Sequence, residues 1–264
     1  MLTADSGGVV LLEGRTGLIV GLSDRHGFAW SIAQALAGAG ASLVLSHEAR
    51  HARRAPELAA DLPGATTVQL DVTDDDEIVS ACEQIGSEHH GLDFLIHAVA
   101  FAPPQALLGR FVETDRDAFR IALDISTYSL VALTRAAEPL FAQRGGGSIV
   151  TLTYYGAEKA VLGYKVMGVA KAALEATVRY LAAELGPDSV RVNAVSPGPH
   201  RTISARGIPG FMDMYREFPE RAPLRRHIEG ADVGNTVLYL CSDLARSVTG
   251  EVIHVDAGYH AMGM

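Results

Sequence analysis

The sequence predicts an α/β fold: one doubly wound domain built on a seven-stranded parallel sheet with helices on both faces. Three observations predict it. Short β-branched or aliphatic runs alternate with helix-length segments nearly to the end of the chain. Those runs are predominantly apolar, as strands covered on both faces are. No linker-like composition shift or internal repeat divides the 264 residues. Residues 1–264 therefore read as a single domain, with residues 1–8 expected to be a disordered tail.

Taken in order, the first strand is Gly17–Gly21 (GLIVG), followed by a glycine-bounded turn and a helix over Phe28–Ala39. Ser42–Ser46 (SLVLS) and Thr67–Leu70 (TVQL) are the next strands, and Asp75–Glu88 is a helix. Asp93–Ala98 (DFLIHA) precedes a long helical stretch, Arg116–Leu140. Ser148–Thr153 (SIVTLT) leads to the helix Tyr164–Leu185, and Val190–Val195 (VRVNAV) leads to Ala231–Leu240. Val252–Val255 is the last strand. Ser196–Pro219 breaks the alternation: Pro197, Gly198 and Pro199 are followed by Ile203, Ile208 and Phe211 on no steady period. A long irregular insertion at a strand's carboxyl end suits function, and its apolar content suits a lid, residues 197–219, over a greasy substrate.

Bulk properties exclude several classes. With 48% hydrophobic residues the chain reads as compact and globular. A net charge of −9 argues against nucleic-acid binding, which needs a basic face. The acidity is uneven, since Arg201 to His227 holds six arginines against Asp213, Glu217 and Glu220, a local +3 that reads either as a solvated rim or as a docking patch for an acidic partner. Cys82 and Cys241 lie far apart and form no CxxC. No apolar stretch approaches a membrane span, and MLTADSGG lacks the basic start and apolar run of a secretion signal. The expectation is a cytoplasmic protein.

The turn Gly21-Leu-Ser-Asp-Arg-His-Gly27, between the first strand and the first helix, sits where dinucleotide folds use backbone N–H groups and a helix N-terminus to meet a pyrophosphate. Gly21, Gly27 and Phe28 are the candidate contacts there, and Arg25 stands where a middle glycine would fall. Asp71 and Val72 close the third strand, placing a carboxylate and an apolar side chain for an adenine ring. Ala98, Val99 and Ala100 close the fourth with small residues that permit close approach. Glu48 follows the second strand, where a carboxylate accepts from ribose hydroxyls and repels a 2′-phosphate. Arg50, Arg53 and Arg54 follow it. The balance favours NADH over NADPH. The overlapping string His47-Glu-Ala-Arg-His51 spells HExxH, but it starts where a strand ends and no downstream helix offers a convincing third ligand, so it reads as a chance match and not as a zinc site.

The stretch TYYGAEKAVLGYKVMGVAK offers two tyrosine–lysine pairings. Tyr155 and Lys159 sit just after the fifth strand and read as coincidence in a turn. Tyr164 and Lys171, taken as lying on one helix, project only ~20° apart around its axis, about two turns apart. Tyr154 ends the preceding strand, ten residues before Tyr164.

Embedded in LTYYGAEKAVLGYKVMGVAKAALEATVRYLA, these three residues resemble the Tyr…Tyr-x6-Lys signature of the NAD(P)H-dependent enoyl-acyl-carrier-protein reductases, a divergent short-chain dehydrogenase branch with a Rossmann fold. The likeness spans nearly the whole chain and includes SIAQAL, LDVTDDDEI, HAVAFAP, DISTYSLVAL, VRVNAVSPGPHRT and CSDLARSVTGEVIHVDAG. It departs at Gly27, Ala98, Ala100, Pro197 and Lys165, where serine, serine, glycine, alanine and asparagine are usual. The resemblance implies reduction of the trans-2 double bond of an enoyl thioester, with Tyr164 on the thioester oxygen, Tyr154 as secondary polar support and Lys171 on the nicotinamide ribose. It further implies that His200 and Thr202 flank the carboxamide, and that Phe101, Tyr154, Tyr164, Ile203, Ile208 and Phe211 face the acyl chain. Acyl carrier protein as partner, docked on the basic stretch, and a homotetramer are implied as well. A ketone or alcohol oxidoreductase, such as a 3-oxoacyl thioester reductase, and a non-catalytic NADH-binding protein remain the alternatives.

Overall fold

The computed structural model describes residues 11–202, 205 and 207–263; the expected tail 1–8 and Ile203 lie outside them. Seven strands form one parallel sheet: β1 (Thr16–Val20), β2 (Ser42–His47), β3 (Thr66–Gln69), β4 (Phe94–His97), β5 (Gly147–Leu152), β6 (Val190–Pro197) and β7 (Val252–Val255). Their order is β3-β2-β1-β4-β5-β6-β7, so the winding reverses between β1 and β4. At that switch point the strand ends open a crevice suited to a ligand.

The helices are α1 (Phe28–Gly38), α2 (Ala55–Ala59), α3 (Asp75–His89), α4 (Arg116–Leu123), α5 (Ser129–Arg144), α6 (Val166–Leu185), α7 (Phe211–Arg221) and α8 (Gly230–Cys241). One face of the sheet is covered by α1 and α8 through Trp30, Ile32, Leu36, Val233 and Val237. The other face takes α3, α5 and α6 through Ile78, Ile85, Leu133, Phe141, Leu174 and Val178. Central strands buried on both sides explain why their sequences run predominantly apolar. Asp74 starts α3 by accepting from the N–H groups of Asp76 and Glu77, and Asp115 starts α4 by accepting from Ala118.

Three departures from the expected elements bear on function. The helical stretch from Arg116 runs on to Arg144 and is interrupted by a π-turn at Asp124–Tyr128. Two hydroxyls of that turn bond to other segments, and a third, from Ser129, bonds back into it. The Ser126 hydroxyl accepts from Phe101 N–H (3.0 Å) and lies 3.1 Å from its carbonyl, Thr127 donates to the Ala170 carbonyl (2.8 Å), and Ser129 donates to the Ile125 carbonyl (2.6 Å). Hydroxyls that bond elsewhere loosen the α-helical ladder, and a widened turn is the result. The expected irregular insertion is in part regular: β6 extends through Pro197, and Phe211–Arg221 is helical. Pro219 lies inside that helix. Finally, Tyr164 is not on α6, which begins at Val166 after Lys165 adopts φ 44° and ψ −119°.

Candidate active site

The carboxyl ends of β1, β4, β5 and β6 define the site. Gly21, at φ 102°, turns the chain after β1; a Cβ there would stand 2.4 Å from the Ala98 carbonyl, so only glycine lets this turn press against the end of β4. Beyond it Asp24, 3% exposed, accepts from the Ser23 hydroxyl (3.0 Å) and from the His26 N–H (2.6 Å), stiffening the turn. Arg25 leaves the crevice: it bonds Asp61 and lies over the Trp30 ring, 5.6 Å from its centroid. Its bulk therefore does not crowd the place of the missing glycine. Gly27 caps α1, and the Phe28 ring lies 5.0 Å from that of His200.

Ala98, Val99 and Ala100 follow β4 directly, and Val99 packs on the core beside Val72. Asp71 lies two residues past β3 and accepts from the N–H (2.9 Å) and hydroxyl (2.7 Å) of Thr73. Glu48 follows β2 as expected, but its carboxylate is engaged by Arg50, with Nη2 to Oε1 and Nε to Oε2 both at 2.8 Å. The HExxH string straddles that strand end and a 3₁₀ turn, Ala49–His51, and not a helix. Among the described residues no group of three or more His, Cys, Asp or Glu is disposed to hold a metal.

Lys171, on α6, is 4% exposed and donates to the Leu152 carbonyl at 2.7 Å. An ammonium has three donors, so two remain for a ligand. Burial lowers its pKa from 10.5 to about 8, and the Glu175 carboxylate one turn along opposes the fall. Glu175 in turn accepts from the Thr153 hydroxyl at 2.7 Å, and burial raises its own pKa. His97, fully buried at the end of β4, was not anticipated. Its Nδ1 lies 2.7 Å from the Thr151 hydroxyl and its Nε2 2.9 Å from that of Ser129. Because Ser129 spends its proton on Ile125, Nε2 must carry the hydrogen, and the ring is neutral; burial, with Lys171 adding, pulls its pKa down to about 3. His97 thus ties β4, β5 and the start of α5 together.

Tyr164 is 8% exposed, and its ring meets that of Tyr154 edge-on, centroids 4.8 Å apart. The two reach one pocket by a route other than the expected one. Tyr154 lies two residues beyond the end of β5, and Tyr164 is presented by a turn that Gly163 makes possible at φ 83°. Burial pushes both phenols well above the ordinary tyrosine range, with Tyr259 adding at Tyr154 and Tyr154 adding at Tyr164. Tyr164 sits in an apolar cluster with Leu107, Ala122 and Met167, against which Ile208 packs. Phe211 is buried, Phe101 is about half exposed, and the Tyr154 hydroxyl contacts Met214 of α7 at 3.4 Å. Tyr155, of the rejected pairing, turns to Tyr259 instead (centroids 5.8 Å), and Lys159 is exposed.

These residues fit a dinucleotide. Lys171 has spare donors, and Gly21 brings backbone against backbone at the switch point. His200, 5.0 Å from Phe28, has a buried Nδ1 with no hydrogen-bond partner among the described residues. Thr202 N–H donates to the His200 carbonyl at 2.8 Å, and the Thr202 hydroxyl accepts from Ala205 N–H at 3.0 Å. Two of the six arginines pair within the stretch at the surface, Arg216 with Asp213 and Arg221 with Glu217, and a third, Arg226, pairs with Asp232 just beyond it. Among the described residues no helix is long and apolar enough to cross a membrane.

A doubly wound parallel sheet whose order reverses between β1 and β4, beside a glycine turn, is the dinucleotide-binding class of fold. Comparison with known proteins narrows this. A family model described as enoyl-(acyl carrier protein) reductase matches residues 21–260, and the chain belongs to that family. It is 47% identical over 256 residues to the enoyl-[acyl-carrier-protein] reductase [NADH] of Bacillus cereus (strain ATCC 14579), covering 96% of this chain and 99% of that protein. It is 46% identical over 254 residues to the enzyme named [NADPH] from Staphylococcus aureus (strain MRSA252), covering 95% and 98%. The fold matches the Bacillus cereus enzyme with NADP+ and indole naphthyridinone at a TM-score of 0.93 and 46% identity, covering 96% of this chain and 99% of that one. It matches the Anaplasma phagocytophilum enzyme in complex with NAD at 0.92 and 44% identity, covering 96% and 97%.

The buried ammonium has a consequence for stability. A lysine with a folded pKa near 8 and an unfolded value near 10.5 binds fewer protons folded than unfolded between those limits, so its burial costs least at high pH. Relative to Lys171→Met, the wild-type unfolding free energy should rise between pH 8 and pH 10, by at most about 1.4 kcal/mol per pH unit. Urea unfolding of both proteins at four pH values measures this, and a difference flat with pH contradicts it.

Proposed function

We propose that this protein is an NADH-dependent enoyl-[acyl-carrier-protein] reductase acting in the last step of the fatty-acid elongation cycle. The observation that carries the reading is the Tyr154–Tyr164 pair just past the end of β5, where Lys171 donates to the Leu152 carbonyl, inside a family defined by that reaction. A bound reduced nicotinamide supplies hydride to the β-carbon of the enoyl thioester, and negative charge then develops on the thioester oxygen.

The side chains answer that charge. Tyr164 donates its hydroxyl to the oxygen as charge grows, which stabilises the transition state more than the ground state. Burial keeps the phenol protonated, and therefore a donor, at any working pH. Tyr154 supports it from an edge-on contact and reaches Met214 on its other side. Lys171 holds the nicotinamide ribose hydroxyls with its two spare protons, oriented by the Leu152 carbonyl. His200 and Thr202 flank the carboxamide. Gly21, Gly27 and Phe28 serve the pyrophosphate, Ala98, Val99 and Ala100 the face of the cofactor, and Asp71 and Val72 the adenine. Phe101, Ile203, Ile208 and Phe211 line the acyl site under a lid of residues 197–219, within a single domain.

NADH preference rests on Glu48. Its carboxylate holds Arg50, the nearest cation in sequence to the ribose site, away from a 2′-phosphate. The acyl carrier protein docks on the Arg201–His227 stretch; surface ion pairs this exposed are weak and exchange readily for an acidic partner. A homotetramer in the cytoplasm completes the reading, which agrees with two cysteines that are buried and free.

Oxidation of NADH and NADPH followed with crotonyl and acetoacetyl thioesters side by side tests the reaction: turnover of the crotonyl substrate with NADH is expected, and selective turnover of the acetoacetyl one contradicts it. Tyr164→Phe should lower kcat while NADH affinity holds, whereas Lys171→Ala should weaken NADH binding itself. Equal loss of affinity in both would overturn that division of roles. Glu48→Gln frees Arg50 and should raise kcat/KM for NADPH by roughly tenfold, the order of one charged contact; unchanged NADPH kinetics would remove Glu48 from the account.

A further inference from the structure

The segment after Tyr154 is held from the side away from the pocket. The chain makes one 3₁₀ turn, Tyr155–Ala157, closed by Ala157 N–H to the Tyr154 carbonyl (2.8 Å) and Glu158 N–H to the Tyr155 carbonyl (3.0 Å). Its inner side has no slack. A Cβ on Gly156 would stand 2.4 Å from Cδ1 of Tyr164, and one on Gly168 of α6 would stand 2.7 Å from the Gly156 carbonyl. The turn, the Tyr164 ring and the start of α6 therefore move together or not at all.

On the outer side, Glu158 Oε1 lies 2.6 Å from Nε2 of His254. His254 stands on β7, in register with Ser196 of β6, so the turn is tied to the sheet edge. A carboxylate at that distance accepts, which places the proton on Nε2. The His254 ring stacks on His260 at 3.9 Å, and His260 donates from Nδ1 and its backbone N–H to Asp256, which is 5% exposed. Tyr155 meets Tyr259 edge-on, and Tyr259 stacks on Phe218 of α7 with centroids 5.2 Å apart. The same C-terminal turn thus braces both the Tyr154 segment and the helix that Tyr154 touches.

We propose that Glu158 and His254 are a positioning pair for the reaction: their hydrogen bond fixes the 155–158 turn and, through Gly156, sets the Tyr154–Tyr164 geometry. The inference rests on the reading that those tyrosines serve the thioester. Glu158 is too exposed for the pair to matter much to folding, but a donor displaced by about 1 Å from its target costs a reaction up to ~100-fold. The effect belongs in kcat, not in stability or cofactor affinity.

Kinetics on Glu158→Ala, Glu158→Asp, Glu158→Gln, His254→Ala and the double alanine variant test this, with NADH titration and thermal melting alongside. The Ala and Asp variants at 158 should lose about tenfold in kcat, within the range a small misplacement costs, with NADH affinity and melting temperature nearly unchanged. Glu158→Gln should recover most of the loss, because its amide oxygen still accepts from Nε2. The double variant should be no slower than Glu158→Ala. Wild-type kcat in either short variant, parallel loss of NADH affinity, or multiplying losses in the double variant would overturn the pair; if the Ala variant does not fold, the Asp variant decides. A wild-type enzyme inert toward enoyl thioesters would instead overturn the reading of the tyrosines.

Discussion

The ammonium of Lys171, held against the Leu152 carbonyl at the end of β5, is the contact on which the rest of the site depends. A charge that deeply buried is costly unless its donors are satisfied, and one backbone acceptor satisfies only part of it. The remainder is an unspent binding capacity. Its surroundings are arranged to keep it in place: Thr127 of the π-turn donates to the carbonyl of Ala170, the residue before the lysine. His97 ties the neighbouring strands together while staying neutral, so no second charge competes. Glu175, one turn away, supports the ammonium and is itself held by Thr153.

From that fixed point the chemistry follows by division of labour. In the proposed reaction the lysine would hold the cofactor end, and the tyrosines, kept protonated by burial, would offer hydroxyls to a charge that appears only during reaction. Placing Tyr164 on a turn before α6, and not on its first coil, separates it from the lysine along the crevice. It also puts its ring against Tyr154 and the apolar cluster of Leu107 and Met167. The cost is backbone strain at Lys165, a non-glycine residue at positive φ, paid where the fold is most constrained by function.

The strands were legible in the sequence to within one or two residues, because burial on both faces gives the central ones a predominantly apolar signature. The position of the Tyr154, Tyr164 and Lys171 set near the end of β5 was legible too, through its place in the order of strands and helices. Their geometry was not. A common helical face for Tyr164 and Lys171 assumed a regular helix, and nothing local to Gly163–Lys165 announces the reversal in φ that ends it. The π-turn hid inside a stretch with good helical periodicity; the run of Ser126, Thr127 and Ser129 was its one signal. Glu48 was placed correctly, but its bond to Arg50 depends on how two exposed side chains meet in space. His97 read as part of a strand because its partners come from β5 and α5, far away in sequence. The net charge of the basic stretch was legible, but which arginines its acids engage, Arg216 and Arg221, depends on the turn spacing of α7.

A crystal structure of the ternary complex with NADH and a non-reactive enoyl thioester analogue tests the central claim most directly. The account predicts the Tyr164 hydroxyl within hydrogen-bond distance of the thioester oxygen and the Lys171 ammonium on the ribose hydroxyls, still bonded to Leu152. A thioester oxygen bound elsewhere, or a lysine swung away from the ribose, would contradict it.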